Sequence, residues 1–372
     1  MQFEKLIDEM LNKKASDMHI RTGTRPYLRI DGILYPMENF PVSTLDEIKR
    51  IVSEIMNEQQ KSIFNVRHEC DLSINISNKG RFRINVFQQR GGINIAIRYI
   101  PVDVPTIEQL NLPSVVKKIA ENRRGLVLVT GPAGSGKSTT LSAMIDYINE
   151  NRSCHIITIE DPIEFIHKDK KSIISQRELG IDTLSYVDAL RHIVRQNPDV
   201  ILIGEMRDLE TIQTALTAAQ LGHFVLSTLH TIDAIQTVTR IVDIFPPHQQ
   251  NQIRYQLADT LKGVISQRLL PKSTGKGLIP AVEVLVVTPV VKKYIEENNL
   301  SEISNVMKQG QFYGMQTFNQ AVLNLYKEGK IKIEDALYAA TSPEDLMVAI
   351  RGIETSTESA SITLERFGDL KK

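Results

Sequence analysis

Residues 125–140 read GLVLVTGPAGSGKSTT, and the fold follows from them. Gly125 to Thr130 is a short unbroken apolar run, the mark of a strand buried on both faces. Gly131 to Ser138 then satisfies the phosphate-loop pattern GxxxxGK[ST], and a helical stretch from Thr139 to Ile148 follows it. Gly131, Gly134 and Gly136 let the backbone curl so that its N–H groups point inward beside the positive end of a helix. Lys137 adds a full charge for the β- and γ-phosphates, and Ser138 offers a hydroxyl to Mg²⁺. The candidate nucleotide-binding set is therefore Gly131, Pro132, Ala133, Gly134, Ser135, Gly136, Lys137, Ser138 and Thr139. A chance glycine-rich turn would lack the flanking strand and helix.

Downstream, similar apolar runs recur at His155 to Ile159, Val200 to Ile203 and Phe224 to Thr228, separated by helical stretches at Ser185 to Gln196 and Leu209 to Leu221. Strand and helix in alternation predict a parallel sheet covered on both faces. Hydrolysis needs carboxylates at strand ends near the loop, one to hold the metal and one to orient water. The run DVILIGE ends in Glu205, the place from which a Walker B acid reaches the Mg²⁺ shell. The strand from His155 ends in EDPIE, with Glu160, Asp161 and Glu164 within five residues. Such a cluster is most often a solvated loop, but beside a phosphate loop it becomes a candidate water-activating group. His223 and His230 bracket a third strand. His230 falls where a side chain can sense the γ-phosphate, although a lone histidine is more often structural.

Upstream, residues 25–99 alternate with a period of two, as half-buried antiparallel strands do. Asp31-Gly32 suits a two-residue hairpin turn, and Ser43-Thr44 before an acidic pair announces a helix carrying Ile48, Ile51, Val52 and Ile55. The first hundred residues thus read as a small α+β domain. Pro101 and Pro105 mark a linker, assigned to 101–113. The ATPase core is assigned to 114–288 and a helical region to 289–352, with 353–372, rich in Ser and Thr, expected as a flexible tail.

Lys plus Arg and Asp plus Glu number 44 each, so no global charge draws the chain to nucleic acid or an anionic membrane, and no nucleic-acid partner is expected. Cys70 and Cys154 are far apart and belong to no CxxC pair, which suits reduced thiols in the cytosol. The N-terminus lacks the pattern of a secretory signal. The most apolar stretch, Ala281 to Val291, is about half the length that spans a bilayer and holds Glu283 and Pro289.

Together, GPAGSGKSTT, ITIEDPIEF, DVILIGEMRD and GHFVLSTLHT resemble the four nucleotide-site boxes of the type IV pilus retraction ATPases, the PilT and PilU family of the secretion ATPase superfamily. ASDMHI, GRFRINVF and YGMQTFNQAVLNLY extend the likeness over nearly the whole chain. The resemblance implies an α/β RecA-like P-loop domain with a mainly parallel sheet, preceded by a small α+β PAS-like domain and followed by C-terminal helices. It implies ATP and Mg²⁺ as cofactors, Glu164 as general base, Glu205 as Walker B acid touching Mg²⁺ partly through water, and His223 with His230 as a histidine box.

It further implies a cytoplasmic homohexamer at the inner-membrane base of the pilus machine. There it would power pilus retraction and twitching motility through a platform protein, with a paralogous retraction ATPase as a further partner. In such a ring Arg81 and Arg83, thrown outward by the apolar face of Phe82, Ile84 and Val86, are candidate arginine fingers for a neighbour's γ-phosphate. Arg207 and Arg195 are lesser candidates. The stretch VVKKYIEE at 290–297 stands where typical retraction motors read close to AIRNLIRE. The HEC triplet at 68–70, NEQQ at 57–60 and the long tail resemble the PilU branch, whereas GEMRD resembles PilT, and the balance leans to a PilU-like accessory motor. The alternatives are an extension or type II secretion ATPase, whose usual four-cysteine zinc insertion two distant cysteines cannot build, and a non-hydrolysing adaptor that binds ATP beside a partner motor.

Overall fold

The computed structural model describes residues 3–354 apart from Asp31, Asn78, Pro101 and Val102. Of the tail expected at 353–372, residues 353 and 354 close the last helix and 355–372 lie outside the described residues, as do the first two residues of the expected linker and one residue of the expected Asp31-Gly32 turn. The chain divides into two compact units. One holds the residues up to Asp103 together with Glu164–Ile166, and the other holds Val104–Ile163 and the chain from His167 onward.

The first unit runs α1 (Phe3–Asn12), β1 (Asp17–Arg21), β2 (Tyr27–Ile30), β3 (Ile33–Pro36), α2 (Leu45–Ile55), α3 (Glu58–Arg67), β4 (Glu69–Ile76), β5 (Gly80–Gln89) and β6 (Gly92–Ile100). Its strands pair antiparallel in the order β3-β2-β1-β6-β5-β4. The two-residue period puts Phe82, Ile84 and Val86 into one core with Leu6, Ile7 and Met10 of α1 and Ile48 and Ile51 of α2. Helix α1, which the sequence reading passed over, carries Phe3, Leu6, Ile7 and Met10 at the spacing of one helical face. Thr44 and Glu47 close a capping box on α2, and backbone donation from Thr44 holds the Glu47 carboxyl down at about 2. Asn57 and Gln60 do the same for α3, so NEQQ is a helix start.

The second unit runs α4 (Val115–Ala120), β7 (Gly125–Thr130), α5 (Lys137–Asn151), β8 (His155–Glu160), β9 (Ile173–Glu178), α6 (Tyr186–Ile193), β10 (Val200–Ile203), α7 (Leu209–Gln220), β11 (Phe224–Leu229), α8 (Ala234–Asp243), α9 (Pro247–Thr260), β12 (Leu261–Pro271) and β13 (Leu278–Val286). Helices α10 (Pro289–Glu296), α11 (Ser301–Gln309), α12 (Phe318–Lys327), α13 (Ile333–Ala339) and α14 (Pro343–Glu354) complete it. The sheet order is β13-β12-β7-β11-β10-β8-β9, parallel from β12 to β9 and antiparallel only at β13. Leu126 and Leu128 of β7 face one core with α6 to α9, while Val127 and Val129 face another with α4 and α5. The buried apolar runs thus became central strands with helices on both faces, the mainly parallel α/β architecture the sequence implied.

The β12–β13 hairpin was not anticipated. Ala281 to Val286 belongs to its second strand, β13, and the apolar stretch continues through a turn into α10. Among the described residues no helix is long and apolar enough to cross a membrane.

Candidate functional site at the carboxyl edge of the parallel sheet

The phosphate loop joins β7 to α5. Gly131 has a φ of +143°, and a Cβ there would run into the Gln267 carbonyl and the Ser135 side chain, so only glycine lets the chain turn this tightly against β12. Lys137 is nearly buried, and its Nζ donates to the Gly131 and Pro132 carbonyls at 2.9 and 3.0 Å, which holds the ammonium across the mouth of the loop. Gly136, at φ +87°, starts α5 without a side-chain cap, leaving the donors of the first turn to other acceptors. The Ser135 hydroxyl is buried with no hydrogen-bond partner, a state that native interiors avoid unless a ligand completes it. The cradle that Gly131 keeps open, the orphaned hydroxyl and the positioned lysine all suit a polyphosphate and its Mg²⁺. A cleft of about 460 Å³ lies against Pro132 to Ser135 and is bounded by Ile232, Arg268, Leu270 and Tyr338.

Strand order sets what stands beside the loop. β11 separates β7 from β10, so His230 and Glu205 project from neighbouring strand ends. His230 Nε2 lies 3.1 Å from Glu205 Oε1, and Arg207 Nε lies 2.8 Å from Oε2. Thr228 and Ser227 donate to the Gly204 and Ile203 carbonyls, at 2.7 and 2.8 Å, which fixes the turn that carries Glu205 to β11. Gly204 fits closely: a Cβ there would meet the Tyr186 hydroxyl at 3.0 Å and the Ile159 carbonyl at 3.2 Å, and both would have to give by a few tenths of an ångström. Tyr186, half-buried at the start of α6, went unnoticed in the sequence. Burial and the Asp161 carboxylate push its phenol up, with Arg207 opposing and Glu205 and Glu160 adding to the push, so it stays protonated.

At the end of β8, Glu160 Oε1 accepts from Thr158 Oγ1 at 2.7 Å and from Gln176 Nε2 at 3.2 Å. The Gln176 side-chain Oε1 in turn accepts from the His167 N–H at 2.9 Å. Burial drives the His167 imidazole down to about 4, so it is neutral near pH 7.

The second unit therefore brings together Lys137, Ser138, Glu205 and His230 with the loop glycines. Glu164, exposed, belongs with Arg81 and Arg83 to the first unit. Both arginines lie on β5, whose core-facing residues are Phe82, Ile84 and Val86. Two sequence candidates lie elsewhere. His223 precedes β11 and bonds the Pro198 carbonyl at 2.8 Å. A whole strand, on the order of 20 Å, separates it from His230. Arg195 follows α6 and precedes β10, again at the amino edge of the sheet. The final Asp208 of GEMRD caps α7, accepting from Thr211 N at 2.8 Å.

A family model described as "Type II/IV secretion system protein" matches residues 1–310. The type IV pilus ATPase PilU of Pseudomonas aeruginosa is 42% identical over 97% of this chain and 94% of its own length. The type IV pilus retraction ATPase PilT of the same organism is also 42% identical, over 93% of this chain and all of its own. Among solved structures, the pilus retraction motor PilT with bound ADP superposes with a TM-score of 0.88 at 46% identity, covering 93% of this chain and 98% of its own. The extent of these matches and the P-loop edge just described agree: the chain belongs to the type II/IV secretion system protein family and is one of its ATPases.

Proposed function

We propose that this chain is an ATP-hydrolysing motor that powers type IV pilus retraction, working as a cytoplasmic homohexamer at the base of the pilus and acting through an inner-membrane platform protein, with a paralogous retraction ATPase as a second partner. The observation that carries the reading is the His230–Glu205 pair at the ends of β11 and β10, next to the strand whose loop carries Lys137, in a chain so similar along its length to PilU and PilT.

The backbone N–H groups of Ala133 to Thr139 and the Lys137 ammonium hold the β- and γ-phosphates. Ser138 and Glu205 would hold Mg²⁺, which neutralises phosphate charge as it develops. Glu164 accepts the proton of the attacking water, and His230, tied to Glu205, responds to the γ-phosphate. Arg81 and Arg83 of a neighbouring subunit meet the transition-state charge. The cycle of ATP binding, hydrolysis and product release does the mechanical work.

Phosphate release by the purified protein is the first test. Lys137→Ala abolishes both binding and turnover, whereas Glu205→Gln and Glu164→Gln retain binding and lower turnover by about 10²-fold or more. Wild-type turnover in Glu164→Gln refutes the base assignment. In cells, deleting the gene leaves fluorescent pili that persist without retracting, and a deletion strain with no pili at all points instead to an assembly motor.

A further inference from the structure

Glu283 sits in β13 within an otherwise apolar run and is only 7% exposed. A carboxylate persists at such depth only where donors satisfy it. Its Oε1 accepts from the Ala234 N–H at 2.9 Å, and the carboxyl also accepts from the backbone of Phe318. Ala234 is the first residue of α8 and Phe318 the first of α12, so one carboxylate closes the positive ends of two helices. Each helix has its own local cap as well: Asp233 accepts from Gln236 N, and Thr317 from Gln320 N. Glu283 therefore serves the first amide of each helix, beyond what local capping supplies.

The two helices lead to different places. α8 begins four residues after His230, and Ile232 in that short connection lines the cleft against the phosphate loop. α12 packs on β13 and opens the C-terminal cluster of α12 to α14. Arg268 of β12 lines the same cleft, sits 3.9 Å over the Phe318 ring and donates to the Ala339 carbonyl.

We propose that Glu283 is a positioning residue that couples the His230–Asp233 turn at the nucleotide edge to the C-terminal helices through one shared carboxylate. The inference rests on the reading of that edge as the ATP site. When His230 shifts with the γ-phosphate, the first amide of α8 moves against Glu283, and the first turn of α12, held by the same group, follows.

Hydrogen exchange over residues 318–323 with and without Mg-ATP tests this, alongside kcat and KM for ATP. In the wild type ATP slows exchange there several-fold, and Lys137→Ala removes the response. Glu283→Gln keeps KM within about twofold, loses about tenfold in kcat and no longer shows the response. Ala234→Pro gives a second variant: proline suits the first helical position, removes the N–H that Glu283 accepts and sets its ring carbon where that bond ran, so the carboxyl is displaced from α8. It loses the response in the same way and is decisive if Glu283→Gln does not fold. A response preserved in a folded variant overturns the proposal. So does a kcat loss matched by equal losses in KM and melting temperature, which marks a merely structural group. A wild type that binds ATP without any change at 318–323 sinks the coupling alone, and one that binds no ATP sinks the site as well.

Discussion

Gly131 shows how narrowly a single position constrains the site. Its φ of +143° and the closeness of the Gln267 carbonyl leave no room for a side chain, so Gly131→Ala must unbend the loop or push β12 aside. Strain of this kind amounts to about 1–3 kcal/mol, and it falls on the loop itself. Titration with a fluorescent ATP analogue will show affinity reduced by about 100-fold or more, with the midpoint of urea unfolding lowered; affinity within twofold of wild type would contradict this geometry. Glu283 gives a prediction in pH. Burial pushes its carboxyl up to about 7 from an unfolded value of 4.5, the Asp233 carboxylate adds to the push, and the Ala234 and Phe318 amides and the Arg268 guanidinium oppose it. The folded state thus holds a proton that the unfolded chain has already released. Its contribution to stability is full below pH 4.5 and is lost as pH rises through 7, an effect of about 3 kcal/mol. Between pH 5 and pH 8, unfolding by urea will move in favour of Glu283→Gln relative to wild type by about that amount, and a constant difference would show that Glu283 titrates normally. The places of Lys137, opening the helix after β7, and of Glu205, at the end of β10, were legible in the sequence because each sits in a pattern whose flanking strand can also be read. Glu283 was not, because a lone acid in an apolar run has no pattern and its partners lie dozens of residues away. His223 and His230 bracket β11 as they bracket the apolar run in the sequence, one at each edge of the sheet, and the extended chain between them keeps them apart.

At the scale of elements, α7 shows a motif residue doing structural work. Asp208 closes GEMRD, and its carboxylate takes the Thr211 N–H at 2.8 Å and the Thr211 hydroxyl at 3.0 Å, so it starts the helix that follows β10. Asp208→Ala removes the cap and lowers stability by about 1 kcal/mol. Asp208→Ser recovers most of it, because a short hydroxyl reaches the same amide. ATP affinity stays unchanged in both, measured beside their thermal unfolding, and a Ser variant as weak as Ala would mean that the aspartate serves something other than the helix. The alternation of buried strands and amphipathic helices was readable because both periods are local. The β12–β13 hairpin was obscured for a physical reason: Ala281 to Val291 runs from a strand through a turn into a helix without losing apolar character, and periodicity cannot divide such a stretch. Helix α1 has a clear face at Phe3, Leu6, Ile7 and Met10 but is only 10 residues long, short enough to pass for a polar leader.

For the whole molecule, the decisive question is whether one chain makes a complete site. Glu205, Lys137 and His230 belong to one unit, while Arg81 and Arg83 belong to the other, on β5, whose core face carries Phe82, Ile84 and Val86. In a closed head-to-tail ring every subunit presents the same two surfaces, one to each neighbour. Arginines acting across that contact complete a site in another chain, and mixing separates this from action within one chain. Arg83→Ala and Glu205→Gln each lower turnover by about 10²-fold when pure. In rings mixed at equal ratio, a competent contact needs the Arg83→Ala subunit to supply the core and the Glu205→Gln subunit to supply the arginine. Random assembly yields that arrangement at about one contact in four. Phosphate release per subunit in the mixture therefore climbs to about a quarter of wild type if sites fire independently, and to less if they must fire in turn. A mixture no faster than the average of the two pure variants would place Arg83 outside the reaction, or within its own chain's site, and the ring would need another source of transition-state charge.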